Sequence, residues 1–113
     1  MLNKPSIVEH NNYRFMIFSA PDNNSLSYWI DQFKLYKVTD IVRTCERTYN
    51  DDEIIKEGIR IHELRFDDGK FPSLDIIKSF LNIVNEVFKV DRDGESNSEE
   101  KCIAIHCIAG LGR

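Results

Sequence analysis

Ile103-Ala104-Ile105-His106-Cys107-Ile108-Ala109-Gly110-Leu111-Gly112-Arg113 begins as a strand and ends as a loop. With Lys101 and Cys102 ahead of it, the run to His106 is short and nearly all apolar, the pattern of a strand buried on both faces of a parallel sheet. Past Cys107 the chain is punctuated by glycine. Gly110 and Gly112 let the backbone fold back so that successive N–H groups point inward and form an anion-binding nest. A helix starting at the end of the loop would add its positive pole. Arg113 could reach back with a planar fork suited to two phosphate oxygens. All of this favours negative charge where the Cys107 sulfur would sit, so Cys107 is expected to act as a thiolate nucleophile aimed at phosphorus. The plain alternative is a small buried cysteine beside a glycine turn. His106, Cys107, Gly110, Gly112 and Arg113 in one register argue against it. A nucleotide P-loop is excluded, because G-x-x-x-x-G-K-[ST] is absent.

Outward from this strand, apolar patterning alternates between periods of two and of 3.6 residues. Tyr13 to Phe18 reads as a strand that Ser6 to Glu9 can pair with across His10-Asn11-Asn12. Ser25 opens a helix with Leu26, Trp29, Ile30 and Phe33 on one face. Val38 to Thr44 is a strand with Cys45 at its edge, Asp51 to Glu57 a short helix ended by Gly58, and Ile59 to Leu64 a further strand. Phe66 to Pro72 is a loop. Ser73 caps the longest helix, whose expected buried stripe is Ile77, Phe80, Leu81, Val84 and Phe88. Val90 to Glu100 is a polar connector. The expected fold class is therefore α/β, a central, mostly parallel sheet flanked by helices, with residues 1–113 forming one domain.

Composition narrows the function classes. The chain has 113 residues, a net charge of -4 and 30% charged residues, which lacks the basic footprint of general nucleic-acid binding. No apolar run approaches the roughly 18 residues of a membrane span, and the N-terminus lacks the apolar core of a signal peptide, so a cytoplasmic setting is expected. Three cysteines at scattered spacing read as thiols, with Cys102 a small core residue. His10 and His62 have no partner at metal-ligand spacing, so no metal site and no cofactor are expected. Arg43 and Arg47 flank Cys45 and either add positive field near the loop or lie on a solvated face.

H-C-I-A-G-L-G-R resembles the signature loop, H-C-x-x-G-x-x-R, of cysteine-dependent protein tyrosine phosphatases, and its A-G-L-G-R wording resembles the phosphatases of regenerating liver, a prenylated, dual-specificity-like branch. V-T-D-I-V-R-T-C-E-R-T-Y-N (Val38 to Asn50) and E-G-I-R-I-H-E-L-R-F-D-D-G (Glu57 to Gly69) are similar to that branch's strand and turn and to its general-acid loop. The resemblance implies that Ile108 to Arg113 bind phosphate, that Asp68 rather than Asp67 is the general acid, and that His106 supports the loop from the side away from the pocket. Leu64-Arg65 stands where the family has Trp-Pro, a departure that removes a stiffening proline. The resemblance further implies a domain that continues past the phosphate loop with more helices, a basic tail and a prenylated cysteine that would make the protein a peripheral membrane protein. These 113 residues are accordingly expected to be a truncated, inactive portion on their own.

Three functions compete. The first is a phosphatase acting on a phosphorylated protein or another phosphomonoester. The second is a slow-turnover binding module; the resemblance implies membrane magnesium-transport mediators as its partners, engaged through the same pocket. The third is a sulfur-transfer or arsenate-reducing enzyme, against which the Asp67-Asp68 loop argues. Strands carrying Cys45 and Cys107 should end at one sheet edge, where a second thiol can resolve an oxidised first. The resemblance implies the same Cys45–Cys107 disulfide.

Overall fold

A computed structural model describes residues 4–10, 12–66, 71–88 and 101–107. Five strands and three helices alternate through them: β1 (Ser6–His10), β2 (Tyr13–Ser19), α1 (Leu26–Leu35), β3 (Val38–Arg43), α2 (Asp52–Lys56), β4 (Arg60–Glu63), α3 (Leu74–Val87) and β5 (Cys102–Cys107). The strands form one sheet in the order β1-β2-β5-β3-β4. Only the β1–β2 hairpin is antiparallel; β5 runs parallel to both β2 and β3, and β4 runs parallel to β3. The expected α/β class with a mostly parallel sheet is what the structure shows. The last strand in the chain lies in the middle of the sheet, which is why its sequence is apolar on both faces: Cys102, Ile103 and Ala104 are all fully buried.

Two cores form, one on each face. Met16, Phe18, Ile41 and Ala104 meet α1 through Trp29 and Phe33, with α2 contributing Ile54. On the opposite face Val42 and Ile103 meet Val84, Val87 and Phe88 of α3. Phe15 stacks there against Phe80 and Phe88 at 6.3 and 5.7 Å between ring centroids, within the range of productive aromatic pairs.

Local signals act largely as read. The Ser73 hydroxyl accepts from Ile76 N and caps α3. Gly58 takes φ +79° just past α2, with its N–H donating to Ile55 O. Ser25 stands at the N-cap of α1, as expected, although its hydroxyl makes no bond into the helix. Instead it exchanges two bonds with Asp22: Asp22 N donates to Ser25 Oγ at 3.0 Å and Ser25 N donates to Asp22 Oδ1 at 2.8 Å. The Ser25 backbone N–H above all holds the Asp22 carboxyl below the usual range. One expectation changes: the stripe of α3 is rotated. Ile77 and Leu81, expected inside, are 41% and 52% exposed, while Phe80, Ile83, Val84, Val87 and Phe88 pack inward.

The β3–β4 pairing is fixed by charge. Asp40 lies beside Arg60, and Arg43 beside Glu63, in the parallel register. Asp40 is buried and accepts from Arg60 Nη2 at 3.1 Å, with His62 Nε2 2.7 Å from its other oxygen. A buried carboxylate without such partners would be costly.

Candidate active site

Cys107 is the last residue of β5, one position later than the sequence suggests, and it is buried, as are Cys45 and Cys102. Burial pushes the Cys102 thiol up to about 11, in keeping with a core role. The end of β5 is tied down on both sides. Ala20 N donates to the Cys107 carbonyl at 3.0 Å. On the other side the Thr44 backbone N–H and hydroxyl both donate to the His106 carbonyl, at 3.1 and 3.0 Å. Parallel strands thus flank the nucleophile candidate at their common C-terminal edge, the place where open α/β sheets bind ligands. Phe66, the last described residue before Asp67-Asp68, reaches this edge through its N–H to Thr44 O at 3.4 Å. The general-acid candidate Asp68 and the phosphate-loop candidates Ile108, Ala109, Gly110, Leu111, Gly112 and Arg113 lie outside the described residues, as does the polar connector up to Glu100.

His106 alternates with Cys107 along the strand and so points to the other side of the sheet. It is 1% exposed and packs against Phe18 at 5.0 Å between ring centroids. Its Nε2 is 2.7 Å from the Tyr49 hydroxyl, and its Nδ1 is 3.8 Å from Cys45 Sγ. Burial is the main reason its pKa falls to about 4; the nearby Arg43 charge pushes the same way, while a hydrogen bond with the Cys107 backbone opposes. His106 is therefore a neutral imidazole at neutral pH, a supporting group rather than a charge. Cys45 sits just beyond β3 as expected, its thiol donating to Glu46 O at 3.3 Å.

Arg43 is neither a free positive field nor a solvated side chain. It is buried and held by a two-point contact with Asp51, at 2.9 and 3.3 Å, and by Glu63 at 2.9 and 3.1 Å. Burial works against its charge, but these carboxylates more than offset it, and its pKa is raised. Its guanidinium carbon also stands 5.3 Å from the Tyr49 ring centroid. Arg47 is exposed and reaches Asp51 only at 4.0 Å. Burial raises the Tyr49 phenol to about 12, against the pull of Arg43. Sequence reading missed Tyr49 and the pairing of Arg43. Its available signal was a charged residue inside an apolar strand, which needs partners elsewhere.

Among the described residues no group of three or more His, Cys, Asp or Glu is placed to hold a metal ion, and no helix is long and apolar enough to cross a membrane.

No family model matches the chain. Individual relatives do. It is 36% identical over 109 residues to the PRL-1 phosphatase of Drosophila melanogaster, covering 96% of this chain and 58% of that protein. It is 36% identical over 111 residues to the probable protein tyrosine phosphatase type IVA A of Dictyostelium discoideum, covering 98% and 63%. It is 37% identical over 114 residues to the protein tyrosine phosphatase type IVA 2 of Mus musculus, covering 99% and 64%. The chain thus spans roughly three fifths of the length of these relatives. Among solved structures, a Leishmania major chain described as a protein tyrosine phosphatase superposes with a TM-score of 0.82 at 24% identity, covering 97% of this chain and 72% of that one. The catalytic core of the Saccharomyces cerevisiae PP-IP phosphatase SIW14 does so at 0.55 and 16%, covering 100% and 63%. At those identities the structural matches speak to the fold.

Proposed function

From its homology to the PRL, or type IVA, protein tyrosine phosphatases, which runs over nearly the whole chain, we propose that this chain carries the nucleophile of a dual-specificity-like, cysteine-dependent phosphatase. The observation that supports this most directly is Cys107 at the C-terminal end of the central strand, an end tied by hydrogen bonds from Ala20 to the Cys107 carbonyl on one side and from Thr44 to the His106 carbonyl on the other. In the proposed reaction the Cys107 thiolate attacks phosphorus and the bond to the leaving oxygen breaks. Asp68 gives that oxygen a proton. The N–H groups of Ile108 to Gly112 and the Arg113 fork hold the phosphoryl oxygens as charge develops. A water then attacks the phosphocysteine, gives its proton to the Asp68 carboxylate, and the sulfur leaves as thiolate. No cofactor takes part.

The substrate class is a phosphorylated protein or another phosphomonoester. A second use of the same pocket, binding a membrane magnesium-transport mediator with slow turnover, comes from the family resemblance alone. A cytoplasmic protein held at membranes by a prenylated tail likewise rests on the resemblance. We also propose a reversible disulfide. A peroxide oxidises the Cys107 thiolate to a sulfenic acid, and the Cys45 thiol displaces water from it to form the S–S bond. Both cysteines are buried at the ends of neighbouring parallel strands.

Hydrolysis of an aryl phosphate by the full-length protein tests the main reading. Turnover by the wild type and none by Cys107→Ser is expected, with oxyanion binding retained in the variant, since a hydroxyl does not ionise at neutral pH. Arg113→Lys should lose most activity as well, because an ammonium cannot make the two-point contact. A fully active Cys107→Ser enzyme overturns the proposal.

A further inference from the structure

Tyr49 is 3% exposed, and no step of the proposed reaction uses it. Its position becomes informative once the hydrogen bonds around His106 are given directions. A neutral imidazole has one donor nitrogen and one acceptor nitrogen. Cys45 spends its S–H on Glu46 O, so the sulfur presents lone pairs to Nδ1 of His106, 3.8 Å away. That favours a proton on Nδ1. The Cys107 backbone beside the imidazole also favours a ring proton.

The other side is consistent. Arg43 has only donors, and its guanidinium carbon stands 5.3 Å from the Tyr49 ring centroid, so its positive charge favours a phenol that turns its oxygen lone pairs toward Arg43 and gives its O–H to Nε2. Asp51 and Glu63 hold Arg43 in place. The result is one directed chain: carboxylates fix the guanidinium, the guanidinium orients the phenol, the phenol donates to Nε2, and Nδ1–H of the residue directly before Cys107 faces the sulfur of Cys45.

We propose that Tyr49 is a positioning residue for Cys107, acting by holding His106 in the Nδ1–H tautomer that braces the strand end from which the nucleophile projects. The role rests on the reading of Cys107 as the nucleophile. It makes the segment between β3 and α2 part of the active-site frame. It also couples Cys45 to that frame, because the tautomer that braces Cys107 is the one that points a donor at the Cys45 sulfur.

The test uses the full-length protein with two readouts. Nitrogen NMR of the labelled imidazole should show Nδ1 protonated and Nε2 bare in the wild type, and a mixture of tautomers in Tyr49→Phe. Iodoacetamide alkylation of Cys107, mapped by mass and followed against pH, should slow about five-fold near pH 6 in Tyr49→Phe, the factor that corresponds to one typical net hydrogen bond. His106→Asn places an amide N–H where Nδ1 stands, and His106→Gln places one where Nε2 stands. Asn should therefore keep more of the Cys107 reactivity than Gln, and adding Tyr49→Phe to His106→Asn should change little. This comparison holds even if Tyr49→Phe folds poorly. A wild-type imidazole protonated at Nε2, or an unchanged alkylation profile in Tyr49→Phe with Gln as good as Asn, overturns the proposal. A wild-type Cys107 that reacts no faster than Cys45 or Cys102 at any pH overturns the nucleophile reading instead, and this role with it.

Discussion

Acid should destabilise this domain through a single buried histidine. His106 has an ordinary pKa of 6.5 when unfolded and about 4 in the fold. Between those values the unfolded chain binds a proton at this site that the folded chain does not. Stability therefore falls as pH drops below about 6.5 and is fully restored above it. A shift of this size corresponds to about 3 kcal/mol in total, of which about 2 kcal/mol is lost by pH 5. The physical reason is specific. A proton on Nε2 removes the acceptor for the Tyr49 hydroxyl and puts a charge in a site closed by Phe18 and facing Arg43. With an m-value of about 2 kcal/mol per molar urea, the unfolding midpoint should fall by about 1 M from pH 7.5 to pH 5. His106→Asn does not titrate, so its midpoint should move far less over the same range, whatever its stability at pH 7.5. Asp22, held below the usual range by Ser25, pushes in the same direction at lower pH but cancels between the two proteins. Equal falls in both would show that His106 is not the group responsible.

Three further outcomes are expected. Arg43→Met should cost about 3 kcal/mol in urea unfolding, at the low end for a broken buried pair because Glu63 is half exposed and rehydrates; a loss under about 1 kcal/mol contradicts the clamp. Lys37 ends α1 at φ 58°, a left-handed conformation that Asn tolerates better, so Lys37→Asn should stabilise by about 0.5 kcal/mol, read as a higher urea midpoint. Asp68→Ala should slow hydrolysis of an alkyl phosphate by about 10²-fold or more while Asp67→Ala does little, and equal small effects would remove Asp68 from the reaction.

The central strand was legible because its signal is local and redundant. Five of the six residues ending in His106-Cys107 are apolar, without alternation, and a strand covered on both faces suits them. The stripe of α3 was not legible for the opposite reason. Leu74, Ile76, Ile77, Phe80, Leu81, Ile83, Val84, Val87 and Phe88 spread apolar surface over too wide an arc for period alone to choose a face. Two stripes share Phe80, Val84 and Phe88. The structure selects the one completed by Ile83 and Val87, because those residues meet Val42, Ile103 and Phe15 of the sheet.

The frame around His106 was hidden by distance along the chain. Tyr49 is 57 residues from its imidazole partner, and no periodic pattern reaches that far. Part of it was nonetheless written in the sequence. Asp40-Ile41-Val42-Arg43 and Arg60-Ile61-His62-Glu63 carry opposite charges at both ends, at a constant offset of 20 residues. Buried charges must find partners or the strand does not stay buried. Two parallel strands with that complementarity satisfy both pairs in one register only. A slip of one residue would set Asp40 beside an apolar neighbour and turn the partner side chains to the other face. The register that pairs Arg43 with Glu63 is also the one that leaves Arg43 facing Tyr49. The charges that align the edge strand therefore also orient the phenol that braces His106, and through it the strand end that presents Cys107.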